Sequence, residues 1–226
     1  MRLLRPRAGA AQAFAEAGRP PDETPWREAK WCSLDLELTG LDPRKNDIIA
    51  IGAVPIEDGR VVLGEGMYTL VRTTKRSEHG AVLVHKLRVP DLADAPRLDD
   101  AIELVLEALA GRVPVFHTAF VERGFLGPLF ARRRVRLPAA ADTDVIGRNW
   151  LWARDGQAPD WLSLERLATI LGQPVEPPHH ALADALTTAK AFIALAAHLE
   201  TIEPQTVGSL VGTEERSGGP RRFGAG

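Results

Sequence analysis

"KWCSLDLELTG", Lys30 to Gly40, alternates apolar and polar residues with a period of two. In an extended chain Cys32, Leu34, Leu36 and Leu38 share one side, and Ser33, Asp35, Glu37 and Thr39 share the other. A β-strand therefore sets the Asp35 and Glu37 carboxylates side by side. They are either the wet face of a half-buried strand or two ligands around something positive. The next apolar run, "DIIAIGAVPI" (Asp47–Ile56), is apolar on both faces, which predicts a sheet covered on both sides. Carboxylates two apart in a covered strand repel each other unless they lie at a strand end or share a cation. Thr39-Gly40 ends the strand at once, so the pair lies at its C-terminal tip, where open α/β sheets bind ligands.

Working outward, "EDGR" (Glu57–Arg60) reads as a hairpin and "VVLGEGMYTLV" (Val61–Val71) as a third antiparallel strand. From Ala95 the period changes. Leu98, Ile102, Val105, Leu106 and Leu109 follow helical spacing, ended by Gly111. "RVPVFH" then reads as a short buried strand, "VERGFLGPLFARR" as a helix, and "RLPAAADT" as a strand running into Asp142. Trp150, Trp152 and Trp161 surround a segment read as a loop, with interior or lid packing expected of them. "SLERLATILG" is a short helix with Ser163 as N-cap, and a long helix runs from His180 to about Leu199. Strands first, then alternating helix and strand, predict an α/β domain with a mixed sheet. Residues 1–28 read as an N-terminal extension and linker, 29–200 as the globular domain, and 201–226 as a flexible tail.

The chain has 226 residues, 28 Lys+Arg against 30 Asp+Glu, and a formal net charge of -2. A protein that coats long duplexes is normally basic, so any nucleic-acid contact should be local, at an end or a short single strand. The single cysteine, Cys32, excludes an intrachain disulfide framework and a Cys-based zinc cluster, and it falls on the apolar side of the first strand. No run approaches the roughly 18 apolar residues of a membrane span, and the start lacks the pattern of a signal peptide. A cytoplasmic protein with no membrane contact is expected.

Two further stretches carry acids at element ends. In "VFHTAFVERGFL" (Val115–Leu126), Glu122 stands at a strand-to-helix junction, where the helix dipole favours an acid. In "HHALADALTTAKAFIAL" (His179–Leu195), Asp184 lies among alanines and leucines one turn into a helix and needs solvent or a partner. His179 and His180 stand just upstream, after Pro177-Pro178.

With these stretches in order, the chain resembles the DEDDh-type 3′-5′ exonucleases, which include the proofreading epsilon subunit of bacterial DNA polymerase III and oligoribonuclease. Asp-x-Glu-x-Thr-Gly of that family is "DLELTG" here, Asp35–Gly40. The second motif is "HTAFVERGF", with Glu122 where the family usually has Asp, Thr118 for Asn and Val121 for Phe. The third is "HHALADA", His179–Ala185, and weaker echoes are "VHKL" (Val84–Leu87) and Asp142-Thr143. The resemblance runs from about Lys30 to Leu199.

It implies a ribonuclease H-like fold, a mixed five-stranded sheet flanked by helices, and phosphodiester hydrolysis with two divalent ions, Mg²⁺ or Mn²⁺ in its place. By resemblance Asp35 bridges the two ions, Glu37 and Asp184 complete one site, and Glu122 serves the other; its extra methylene adds about 1.5 Å of reach. Leu38, Thr39 and His85 would touch the terminal nucleotide. An imidazole suits the general base. Family spacing favours His179 in that role, and helical geometry alone favours His180, four residues before Asp184. The substrate expected is a single-stranded 3′ end, DNA or RNA. A polymerase or other protein partner is expected to dock through residues 1–28. The rival readings are a non-catalytic nucleic-acid-binding scaffold and an oligoribonuclease-like enzyme acting on short RNA. "ARRRVR" (Ala131–Arg136) reads as a solvated helix end or as a contact to phosphates.

Overall fold

The computed structural model describes residues 9–78, 81 and 86–215. β1 (Trp31–Leu38) follows the alternation of its sequence. Cys32, Leu34, Leu36 and Leu38 enter one apolar layer, and Trp31 enters a second on the opposite side. β2 (Ile48–Glu57), apolar on both faces, divides itself in the same way: Ile51 and Ala53 join the first layer, Val54 and Ile56 the second. Both faces of the sheet are covered, as a doubly apolar strand requires.

β2 runs antiparallel to β1 with Asp35 opposite Gly52 and Glu37 opposite Ala50. Past Glu37 the register slips, so that Leu38 faces Ile48 and Ile49 is left over as a bulge. β5 (Val113–Phe116) and β6 (Ala141–Asp142) extend the sheet in parallel on the other side of β1. The third antiparallel strand is broken in two, β3 (Arg60–Val61) and β4 (Met67–Leu70), both paired to β2. Pro55 explains the break. Its carbonyl accepts the Val62 N–H at 2.9 Å, but on that same side it has no N–H to return. The ladder stops there, and a single 3₁₀ turn, Leu63–Glu65, leads to β4. Among the described residues, six strands thus occupy five positions of a mixed sheet.

Among the described residues, α1 (Gly9–Ala17), α2 (Leu98–Leu109) and α3 (Ala119–Arg132) cover the first face. α4 (Thr143–Asp155), α5 (Leu164–Ile170), α6 (Ala181–Glu200) and α7 (Val207–Glu215) lie on the second. Ser163 caps α5 by accepting the Arg166 N–H. The loop expected among the tryptophans is residues 156–163, and α4 ahead of it carries Trp150 and Trp152. The caps of α4, Asp142 before it and Gly156 after it at φ 70°, are the signals that mark it. Trp150 is buried within it, while Trp152 and Trp161 are exposed.

The ends of the chain also differ from expectation. Ala10, Ala11 and Phe14 of α1 are buried, and the Phe14 ring stands edge-on to Phe130 at 5.5 Å. Val207, Leu210 and Val211 of α7 are buried as well. The stretch read as a linker is tied to the stretch read as a tail: Trp26 N–H donates to the Gln205 carbonyl at 3.1 Å, and Val207 N–H to the Thr24 carbonyl at 3.0 Å. These short apolar faces lack a long periodic pattern, and the residues they pack against are distant in the sequence.

α6 is long and apolar enough to cross a bilayer by length and composition, but it packs along the sheet with Ala185, Ala189 and Phe192 buried. Its N-terminus reaches the sheet because Gly52 has no side chain. A Cβ there would collide with the backbone of Ala181 and Leu182. Gly52→Ala is therefore expected to lift the start of α6 and destabilise the protein by about 1–3 kcal/mol. The midpoint of urea unfolding measures it, and an unchanged midpoint would contradict this close seating.

Candidate active site

Each acid singled out in the sequence reaches the same end of the sheet by a different route. Asp35 and Glu37 arrive on β1, on the side away from Cys32, Leu34 and Leu36. Asp184 arrives in the first turn of α6, brought down over Gly52. One carboxylate oxygen from each of Asp35, Glu37 and Asp184 lies within 4.8 Å of the others. Glu122 enters from the first turn of α3, buried at 5% exposure, and its Oε2 has no hydrogen-bond partner among the described residues.

The electrostatics follow from that convergence. Burial, then the Glu122, Asp184 and Glu37 charges, push Asp35 well above the usual carboxylate range. Burial and Asp184 raise Glu37 to about 7. Burial, with a contribution from Asp142, raises Glu122 to about 8. Asp184 is raised by burial too, partly offset by the His179 N–H, which donates to its Oδ2 at 2.8 Å. The three converging carboxylates are a donor set for a hard divalent cation, and Glu122, outside that 4.8 Å group, acts on Asp35 through its charge. The residues present fit such a cation.

These shifts have a sign in stability. A carboxylate whose folded pKa exceeds its unfolded value binds an extra proton when folded, so stability falls as pH rises between the two values. The window runs from 4.5 to about 7 for Glu37 and from 4.5 to about 8 for Glu122. Each pKa unit corresponds to about 1.4 kcal/mol, and because the groups share one site we expect a combined loss of about 3–5 kcal/mol. In EDTA the melting temperature should drop by about 10 °C between roughly pH 5 and pH 8, and a divalent cation should close the gap. A profile in EDTA that stays level would show that the carboxylates do not converge.

Around the cluster, the start of α3 is held from below. Asp142 accepts the N–H groups of Thr118 at 3.1 Å and Ala119 at 2.9 Å while also capping α4 through Asp144 N–H at 3.0 Å. One buried carboxylate thereby fixes two helix starts, one of them carrying Glu122. Thr118 sits in the left-handed region at φ 68°, a conformation that suits Asn better than a β-branched residue. His117 is drawn into the same network, its Nδ1 at 2.9 Å from the Thr143 hydroxyl. Asp142 and Thr143 were noticed in the sequence only as an echo of a motif. Their structural work is not visible in the sequence because the groups they bind include residues about 25 positions away, backbone amides for Asp142 and the His117 ring and Phe116 carbonyl for Thr143.

Other expected residues fall differently. The Leu38 side chain is in the core, and Thr39 is buried with its hydroxyl accepting the Asp47 N–H at 2.9 Å. His85 lies outside the described residues. His179 and His180 are both exposed at the entrance to α6. His179 has φ 65°, and His180 is the N-cap, its ring stacked on Tyr68 at 4.5 Å.

A mixed sheet of this order gathers carboxylates at the C-terminal tip of its central strand, a donor set suited to a divalent cation. The RNase_T exonuclease profile matches residues 32–192, and the chain belongs to that exonuclease family. The DNA polymerase III subunit epsilon-like protein of Rhodobacter capsulatus is 32% identical over 200 residues, covering 87% of this chain and 28% of that protein. The oligoribonuclease of Bordetella pertussis is 34% identical over 92 residues, covering 36% of this chain and 49% of that enzyme. The chain thus corresponds to well under two thirds of the length of these curated relatives. Among solved structures, exonuclease X in complex with 5′ overhanging duplex DNA superposes with a TM-score of 0.63 at 23% identity, covering 81% of this chain and 98% of that one. The ribonuclease H-like fold is shared.

Proposed function

We propose that this chain is a divalent-cation-dependent 3′-5′ exonuclease that removes nucleotides from single-stranded 3′ ends, with DNA favoured over RNA. The observation that carries the reading is the convergence of the Asp35, Glu37 and Asp184 oxygens within 4.8 Å, with Glu122 buried beside them. Two divalent ions, Mg²⁺ or Mn²⁺, supply when bound an activated water and the charge that offsets the attacking and leaving oxygens. Asp35 would hold both ions, Glu37 and Asp184 one of them, and Glu122 the other. His179 takes the proton of the attacking water. The water oxygen bonds to phosphorus, the P–O3′ bond breaks, and the 3′ oxygen leaves on the shortened strand, taking up a proton from solvent to become its new 3′ hydroxyl. Leu38 and Thr39 present backbone groups to the terminal nucleotide.

A polymerase partner, in keeping with the epsilon-like relative, would meet the exposed side of α1 at Gln12 and Glu16, since Phe14 is turned into the core. The site of action proposed is the cytoplasm.

The test uses 5′-labelled single-stranded DNA, the matching RNA and a dinucleotide, each with Mg²⁺, Mn²⁺ or EDTA. A ladder shortening from the 3′ end, lost in EDTA, is expected. Preference for the dinucleotide would assign an oligoribonuclease-like role. Absence of cleavage of every substrate by folded protein would assign a binding scaffold.

A further inference from the structure

The start of α6 lies in a slot built across three strands. Asp35, Gly52 and Tyr68 are direct cross-strand partners on β1, β2 and β4 and form one row on one face of the sheet. Gly52 is the floor, where the backbone of Ala181 and Leu182 takes the space a side chain would need. Asp35 is one wall, with Glu37 beside it, and Asp184 leans to it. Tyr68, the only tyrosine of the chain, is the opposite wall. Its ring lies on the imidazole of His180 with centroids 4.5 Å apart and planes inclined by 19°.

The turn that the ring holds, residues 177–180, lies between Glu176, which the Thr187 hydroxyl and Lys190 of α6 hold, and the Ala181–Leu182 backbone seated on Gly52. Pro177 and Pro178 have no N–H to donate, and His179 adopts a left-handed backbone at φ 65°, a sparsely populated conformation. The His179 N–H donates to Asp184 Oδ2 at 2.8 Å, and the Asp184 N–H to the His180 carbonyl at 3.0 Å. These bonds close the turn on itself. Among the contacts of the described residues, the Tyr68–His180 stack ties it to β4.

We infer that Tyr68 is a positioning residue: by holding the ring of His180 against β4, it sets where His179 and Asp184 stand over the carboxylate row. The inference rests on the exonuclease reading for its consequence, but the stack itself does not. It also separates the two neighbouring histidines. His180 is the anchor, and His179 is left to meet the substrate. An aromatic ring is needed at residue 180, and its nitrogens are not.

Steady-state kinetics on one single-stranded substrate test this with Tyr68→Phe, Tyr68→Ala, His180→Phe and His180→Ala. The two Phe variants preserve stacking and should keep kcat within about threefold. The two Ala variants should lose about ten- to a hundredfold in kcat with KM little changed, the effect of misplacing a reacting group by about 1 Å. Combining them should be no worse than either alone, because both remove one contact. If His180→Phe is as impaired as His180→Ala, or if Tyr68→Ala keeps full kcat, the inference is overturned. Proton NMR of the metal-free protein supplies a readout independent of activity. His180 ring protons should lie upfield in the native protein and in Tyr68→Phe, and return to ordinary positions in Tyr68→Ala. Hydrolysis absent in the native protein but with the upfield shift present would sink the exonuclease reading and leave the stack standing. Absence of the shift in the native protein would sink the stack.

Discussion

Asp35→Asn is expected to lower hydrolysis by at least about 10³-fold while making the metal-free protein more stable. The two effects share a cause. Asp35 lies where the charges of Glu37, Asp184 and Glu122 meet, and burial together with those charges already holds its carboxyl well above the usual range. An amide of the same shape removes the repulsion but keeps the packing. At an effective dielectric of about 20, a unit charge pair at 4 Å is worth about 4 kcal/mol, and a divalent cation doubles the charge on one side. Loss of the shared ligand therefore suffices for the fall in rate, at about 1.4 kcal/mol per factor of ten. Relief of repulsion worth even about 1–2 kcal/mol would raise the melting temperature in EDTA by about 2–8 °C in a chain of this size. Saturating Mn²⁺ should then stabilise the native protein more than the variant. A variant that is inactive and also less stable in EDTA would mean that Asp35 supports the fold rather than the cation.

The second large effect falls on His179. Asn is the substitution to use, because it tolerates the left-handed backbone at φ 65° that Ala would populate at a cost. His179→Asn should keep its N–H bond to Asp184 and lose the imidazole, lowering kcat by about 10²–10⁴-fold with the melting temperature unchanged. Imidazole added to the solution should restore part of the rate. Full activity in His179→Asn, measured on the same labelled strand, would remove this residue from the proton-transfer role.

How these side chains come together was only partly legible in the sequence. The period-two pattern of Trp31–Leu38 placed Asp35 and Glu37 on one side of a strand, and the break at Thr39-Gly40 placed them at its tip. Helical spacing marked α2, and Ser163 marked the start of α5. Each of these is a local property, set by backbone geometry over a few residues. Other elements gave local signals too weak to read. The Pro55 interruption of the edge ladder shows only when the strand opposite is known, because a missing N–H matters only to its partner. α1 and α7 bury short apolar faces whose worth depends on the surface they meet.

By itself the sequence determined the alternation of β1, the order of the acidic motifs and the family they resemble. The tertiary structure decided which carboxylates meet, and at what distance. Asp184 follows Asp35 by about 150 residues along the chain, and no local pattern sets the gap between them. It is set by Gly52, whose missing side chain lets the α6 backbone rest on β2, and by the Tyr68 ring across the slot. Packing also treats the two histidines differently, which is what the proposed roles rest on. Spacing along a helix favours His180, but a ring already stacked on a neighbouring strand is a poor one to move a proton, and only packing shows which ring that is.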